Sequence, residues 1–212
     1  MATTIGRMGT KRALVLMGKT HGRLVHARRV SVIAEILAGM LEPGCKLLDV
    51  GCGDGKLASV LSERVPGIEM RGVEVLPRMD CAVKCDKFDG AHLPFPDHSF
   101  DGSLFVDVLH HAKDPLAILQ DACRVSRKFI LIKDHLAENR FDHWTLRIMD
   151  WIGNRPHGVV LPYSYLPSAR WQEIYTQLGL SVARAENRLP LYPFPFSILF
   201  GRKLHFISLL TK

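Results

Sequence analysis

Leu47-Leu48-Asp49-Val50-Gly51-Cys52-Gly53-Asp54-Gly55 sets the frame in which the rest of the chain is read. A short apolar run carrying one acid leads into a glycine-dense turn. Lys56-Leu57-Ala58-Ser59-Val60-Leu61-Ser62-Glu63-Arg64 then follows with helical spacing. The segment predicts a strand, a tight turn and a helix. Without side chains at Gly51, Gly53 and Gly55, backbone can approach a ligand closely. The amide-rich N-terminus of the helix aims at the same spot, where partial positive charge gathers. A purely structural turn is disfavoured, because three glycines in five residues weaken a fold unless a close approach needs them.

Outward from this stretch the chain alternates. Val30, Ile33, Ala34, Leu37, Met40 and Leu41 repeat at helical spacing before Pro43-Gly44. Strand one is Lys46–Val50, and its helix runs from Gly55 to Arg64 before Pro66-Gly67. Ile68–Val75 reads as strand two, Pro77–Lys87 as a short helix, and a brief third strand ends near Asp89. Strand four is Gly102–Val106. Asp114-Pro115 opens a helix with Leu116, Leu119 and Cys123 on one face, and Lys128–Lys133 is a buried strand five. Ser168 caps a helix whose Trp171, Ile174, Tyr175 and Leu178 share a face, and Gly179 ends it. Leu180–Glu186 and His205–Leu210 read as strands six and seven, joined by a Pro-rich connection that suits a hairpin. This alternation implies an α/β fold, a parallel sheet with helices on both faces. A ligand then sits beyond the C-terminal ends of the strands, where Gly51–Gly55, Glu74, Asp89 and Phe105 converge.

Spacing discriminates among glycine turns. The dinucleotide fingerprint is G-x-G-x-x-G with an acid roughly 20 residues on. Here the glycines fall as G-x-G-x-G, with Asp49 two positions before the first. The arrangement resembles motif I of the class I S-adenosylmethionine-dependent methyltransferases, in the small-molecule branch often called type 11. Further landmarks agree in order: an acid, Glu74, closing strand two; Asp89-Gly90-Ala91-His92-Leu93-Pro94-Phe95 followed by Ser99-Phe100-Asp101; and Val108-Leu109-His110-His111-Ala112-Lys113-Asp114-Pro115 after strand four.

The resemblance implies a Rossmann-like, doubly wound, mostly parallel seven-stranded sheet with an antiparallel last strand, and S-adenosylmethionine as cofactor. It implies that Glu74 accepts hydrogen bonds from both ribose hydroxyls, the other reading being an ordinary surface glutamate. Asp89 takes the adenine amino group and the Gly90 amide a ring nitrogen, although Asp89 equally suits a turn before Gly90. Backbone at Phe105 and Val106 faces the methionine part, and His111 packs near the sulfonium or holds the loop. Asp49, Cys52 and Val75 complete the expected cofactor set with Gly51, Gly53 and Gly55. The landmarks span about half of the chain.

At 212 residues and 47% hydrophobic composition, one globular domain is expected, with residues 1–22 as a basic arm and 23–212 as the domain. The five cysteines show no disulfide or zinc spacing, so reduced thiols in a cytoplasmic protein, without a metal, are the expectation. No apolar run approaches a membrane span. The net charge of +7 is uneven, since no acid precedes Glu35 while Arg7, Lys11, Arg12, Lys19, Arg23, Arg28 and Arg29 do. That start reads as a solvated terminus; a transit peptide or a basic arm for an anionic partner are the other readings. Nucleic acid is not the expected partner. Val106-Asp107-Val108-Leu109 stands where nucleic-acid methyltransferases carry Asn/Asp-Pro-Pro-Tyr/Phe.

The acceptor side is expected from a lid insertion at 134–167. Leu146, Met149 and Ile152 fit an amphipathic helix, and Trp144, Trp151, Tyr163 and Tyr165 make the segment aromatic, as apolar ligand pockets often are; core packing explains either tryptophan as well. His157 and His135 rank first as general base, with Asp134 as partner or alternative, because imidazole titrates near neutrality. Asp134, His135, Asp142 and His143 match no metal-ligand spacing. In the tail, Leu189–Phe200 followed by Gly-Arg-Lys reads as a buried strand and turn, with a peripheral membrane contact as the other reading; its prolines disfavour a membrane-lying helix. The expected function is methyl transfer to a small hydrophobic acceptor, at oxygen. The rivals are a non-catalytic cofactor-binding accessory protein and a nicotinamide-dependent oxidoreductase.

Overall fold

Leu47, Leu48, Asp49 and Val50 are almost wholly buried on both faces of their strand, as a central parallel strand must be. The computed structural model of the chain describes residues 27–154, 163–194 and 196–212. A first helix, α1, covers residues 27–38. It is followed by β1 (Lys46–Val50), α2 (Lys56–Arg64), β2 (Glu69–Glu74), β3 (Cys85–Lys87), β4 (Phe100–Val106), a 3-10 turn (Leu109–His111), α3 (Pro115–Val125) and β5 (Ser126–His135). Then come α4 (Arg140–Asn154), α5 (Ser168–Gln177), β6 (Ser181–Glu186), α6 (Phe196–Phe200) and β7 (His205–Thr211). Among the described residues the sheet has seven strands in the order β3-β2-β1-β4-β5-β7-β6, and β7 runs opposite to the rest, antiparallel to both β5 and β6. The doubly wound, Rossmann-like sheet with an antiparallel last strand is therefore present.

Alternation along the strands feeds two cores. Leu47, Leu104, Leu131 and Ile207 pack with Ile33, Ala34 and Leu37 of α1 and Leu61 of α2. Leu48, Phe105, Ile130, Ile132 and Phe206 pack on the other face with Ile118, Leu119 and Ala122 of α3 and Trp171, Ile174 and Tyr175 of α5. The register places Val73, Val50, Phe105 and Ile132 in one row across the sheet. The next residues, Glu74, Gly51, Val106 and Lys133, form its C-terminal edge, where the candidate site lies.

Four expectations need correction. Pro77–Lys87 forms no helix; a turn closed by Cys81 N–H on the Arg78 carbonyl and Ala82 N–H on the Asp54 carbonyl leads into β3, which ends at Lys87 rather than near Asp89. Ser168 is the first residue of α5 rather than its cap, and its N–H donates to Glu138 Oε1 at 2.9 Å. The tail after Leu191 is not a buried strand but includes α6, with Phe194, Ile198 and Leu199 exposed. Trp144 and Trp151 are not core residues: they are 56% and 51% exposed, whereas Leu146 carries the inward face of α4 against Ala137, Tyr165 and Leu204. The basic arm at 1–22 and His157 lie outside the described residues. At the start of α1, half-buried Arg29 turns in to Asp107, while exposed Arg28 reaches the Pro190 carbonyl along the surface.

Candidate active site

Gly51, Gly53 and Gly55 all take left-handed conformations, with φ of 74°, 58° and 72°. Only glycine adopts these freely. A Cβ at Gly51 would come within 2.6 Å of the Val108 side chain, so this position also lets the β4 loop close on the turn. Gly53 meets nothing within 4 Å and presents bare backbone to open space. The N–H groups of Gly51 and Cys52 bond the Val73 carbonyl at 2.8 and 3.2 Å, tying the turn to β2. Beneath it, burial, reinforced by Glu74, raises Asp49 to about 7.

Glu74 stands at the mouth of the turn. Its Oε2 accepts from the Gly53 N–H at 3.0 Å and its Oε1 from the Val75 N–H at 2.8 Å. Each oxygen keeps a lone pair for a further donor, which suits a vicinal diol. Further along the edge, Asp89 is exposed and accepts from the His92 and Ala91 N–H groups at 2.7 and 2.8 Å. These bonds, the His92 amide first, lower Asp89 to about 2. Gly90 has φ of 88°, and a Cβ there would touch Val75 at 3.4 Å. Val75 is itself 41% exposed, so glycine at position 90 keeps this stretch of the edge open beside an apolar side chain.

Past the row at Phe105, whose side chain is core, the strand ends of β4 and β5 hold a dense polar cluster. Val106 leads into Asp107, a non-glycine residue with φ of 58°. Asp107 pairs with buried Lys133 and, at 3.1 Å, with Arg29 of α1. Burial would raise its carboxyl, but Lys133, His135 and Arg29 outweigh that and hold it well below the ordinary range. Asp134 is fully buried and accepts from the Leu109 N–H at 2.9 Å, the His135 N–H at 2.7 Å and His110 Nδ1 at 2.6 Å. On the other side of His110, Nε2 lies 3.5 Å from Asp150 of α4, whose carboxylate also accepts from Tyr165 Oη at 2.5 Å. His135 Nδ1 lies 3.2 Å from His110 Nδ1, and burial, then His110 and Lys133, lower its value. His111 lies beside His110 with ring centroids 4.0 Å apart and the ring planes tilted by 48°. Burial and His110 lower it to about 4, and its buried Nδ1 has no hydrogen-bond partner.

The structure thus brings Asp49, Gly51, Cys52, Gly53, Gly55, Glu74 and Val75 together at one turn, with Asp89 and Gly90 along the edge. Asp134, His135 and His111 gather at the neighbouring strand ends. Arg29, Asp107, His110, Lys133, Asp150 and His205 join this cluster without having been singled out as site residues by sequence, and Tyr165, expected only as part of the aromatic lid, joins them through Asp150. One signal for them exists: Lys133-Asp134-His135 puts three ionisable residues at the end of a buried strand, and such groups need partners. Above α4, Arg140, His143, Trp144, Arg147, Ile148, Trp151 and Tyr163 line a cavity of about 500 Å³. Arg147 lies over the Tyr163 ring at 4.7 Å. Asp142 is engaged by Arg202 at 2.9 Å.

This fold, with a side-chain-free turn and an acid at the end of β2 that accepts from that turn, is the one the S-adenosylmethionine-dependent methyltransferases share, with S-adenosylmethionine as the cofactor. Residues 32–174 match the family profile described as methionine biosynthesis protein MetW, and the chain belongs to that family. It is 35% identical over 109 residues to the 27-O-demethylrifamycin SV methyltransferase of Amycolatopsis mediterranei, covering 45% of this chain and 40% of that protein. It is also 35% identical over 91 residues to the demethylmenaquinone methyltransferase of Tropheryma whipplei, covering 39% of this chain and 37% of the other. The chain thus spans well under half the length of these curated relatives. Among solved structures, the Burkholderia thailandensis 1,6-didemethyltoxoflavin-N1-methyltransferase, with bound S-adenosylhomocysteine, shares the fold at a TM-score of 0.61 and 16% identity, over 100% of this chain and 90% of that one.

Proposed function

We propose that the chain transfers the methyl group of S-adenosylmethionine to oxygen on a small, largely apolar acceptor admitted at the aromatic cavity along α4. The observation that carries this reading is the line Asp134–His110–Asp150, which joins the strand ends beside the cofactor turn to the helix that bears the aromatic cavity. Bound at Gly51–Gly55, Glu74 and Asp89, the cofactor supplies a methyl carbon already activated by its sulfonium. The protein's share is alignment and proton handling, and alignment alone supplies several kcal/mol. Asp134 fixes the His110 ring as an orienting partner, with its own acceptor capacity filled by protein donors. The acceptor proton leaves along the Asp150–His110 end of the line, a task that sequence assigned to His157, His135 or Asp134. Trp144, Trp151 and Tyr163 suit an apolar body, and Arg140 and Arg147 suit an acidic or enolic group on it.

The exposed Phe141, Trp144, Phe194 and Ile198 beside Arg140 and Lys203 support a peripheral contact with an anionic membrane, on the cytoplasmic side, from which such an acceptor would be drawn. The test is turnover: incubation with S-adenosylmethionine and a panel of phenolic, enolic and amine acceptors, read as S-adenosylhomocysteine formed. Product with hydroxylated acceptors is expected. Cofactor binding without product across the panel would instead mark an accessory protein.

A further inference from the structure

Cys52 belongs to the glycine turn, Cys81 to the loop after β2, and Cys85 opens β3, yet their sulfurs all lie within 4.8 Å of one another. Cys52 Sγ and Cys85 Sγ are 3.4 Å apart although 33 residues separate them in the chain. Two glycines make room for these sulfurs. A Cβ at Gly72 would sit 2.5 Å from Cys52 Sγ, and one at Gly55 would sit 2.9 Å from Cys81 Sγ. The Ala82 N–H bonds the Asp54 carbonyl at 2.9 Å, which pins the Cys81 turn against the loop that carries Cys52. Besides the thiols themselves, the ionisable groups acting on the cluster are acids, Asp49 on Cys52 and Glu74 on Cys85. All three cysteines are half-buried, so one side of the cluster stays within reach of solvent.

We propose that Cys52, Cys81 and Cys85 form a binding site for a thiophilic divalent cation of the zinc class, which braces the loop after β2 against the cofactor turn. Tetrahedral zinc with Zn–S bonds of about 2.3 Å sets its sulfurs about 3.8 Å apart, and the three thiols already lie near that spacing. The fourth position falls to water. As each metal–sulfur bond forms, the thiol gives its proton to solvent; nothing is oxidised or reduced. Thiolates select zinc over magnesium or calcium, and the neighbouring carboxylates favour a cation over any anion. A Cys52–Cys85 disulfide would need an oxidant and would leave Cys81 unused. Sequence spacing hides the site because the Cys81/Cys85 pair finds its third ligand only through the fold.

The test titrates the full chain, reduced and metal-free, with Co²⁺ and then Zn²⁺. A sulfur-to-cobalt charge-transfer band that saturates at one equivalent and is displaced by Zn²⁺ is expected. The Cys81→Ser/Cys85→Ser variant should lose the band while keeping its circular dichroism and its metal-free affinity for S-adenosylmethionine. In the parent protein, Zn²⁺ should protect Cys52, Cys81 and Cys85 together from iodoacetamide, leaving Cys45 and Cys123 labelled as before. No charge-transfer band, a band that survives in the double variant, or protection that does not single out these three thiols overturns the site.

Discussion

His110 Nδ1 lies 2.6 Å from Asp134 Oδ1, and both side chains are almost wholly buried. Burial alone would lower His110, but Asp134, then Asp107 and Asp150, outweigh it and hold the imidazole above its ordinary value. Burial would raise Asp134, yet His110 and the hydrogen bonds from His110 and His135 hold it well below. The two shifts agree on an imidazolium–carboxylate pair. For a raised histidine, the stabilising contribution is complete below the ordinary imidazole range and fades as pH climbs through the raised value. For a lowered carboxylate, it is present above the ordinary carboxylate range and fades as pH falls. The pair therefore stabilises most between these limits. Asp134→Asn is expected to cost about 3–5 kcal/mol, because it strands a buried charge. Its Tm should also lose the parent's alkaline decline. A Tm–pH curve superimposable on the parent's would refute the pair.

If His110 carries the acceptor proton, the rate should rise with pH through its raised value, as the ring becomes free to accept. His110→Gln should lower kcat by about 10²–10⁴ and flatten that limb. Cofactor affinity by calorimetry should stay unchanged, and a drop there with normal kcat would give His110 a binding role instead.

Glu74→Ala should weaken S-adenosylmethionine binding by roughly 1–3 kcal/mol, through lost charge-assisted hydrogen bonds and a Gly53 amide left without its acceptor. Gly51→Val should abolish binding, since the new side chain meets Val108 and a β-branched residue resists positive φ. Calorimetry on both variants checks this, and wild-type affinity in Gly51→Val would remove the site from this turn.

Asp49 holds its proton up to about 7 in the folded chain against 3.8 ordinarily. Between those values the folded state binds more protons than the unfolded one. The Asp49 contribution to stability therefore falls as pH rises across that window and levels off above it. Asp49→Asn should remove this component from a melting series. Identical slopes in parent and variant would count against a raised carboxyl.

Trp144 and Trp151 are half exposed, so Trp144→Ala/Trp151→Ala should leave Tm nearly unchanged. The same variant should lose sedimentation with phosphatidylserine vesicles and raise KM for an apolar acceptor several-fold. A large fall in Tm would return these rings to a packing role.

The sheet was legible because its signals are local. The apolar run at Leu47–Val50, the breakers Pro66-Gly67 and the capping pair Asp114-Pro115 each act within a few residues. Asp114 does cap α3, accepting from Leu116 and Ala117. The short helix expected over Pro77–Lys87 failed because no core face waits for it: Met79 is fully exposed. The cofactor turn was legible for the same local reason, as positive φ at Gly51, Gly53 and Gly55 is written in the glycines themselves. The proton line was not. His110, Asp150 and Arg29 come from three elements with no shared periodicity, and only the fold sets them beside Asp134 and Asp107.

The left-handed backbone of Asp107 and the ammonium of Lys133 pull in opposite directions. Glycine at position 107 would relieve a conformation that costs roughly 1–3 kcal/mol, but it would abandon a charge with no water around it. Lys133→Leu in turn would strip Asp107 of its buried ammonium partner and leave the carboxylate to Arg29 alone at salt-bridge distance among the cationic side chains. Neither position can drift alone, so the two are expected to be traded only as a couple, an epistatic lock on any attempt to evolve this strand end toward another chemistry.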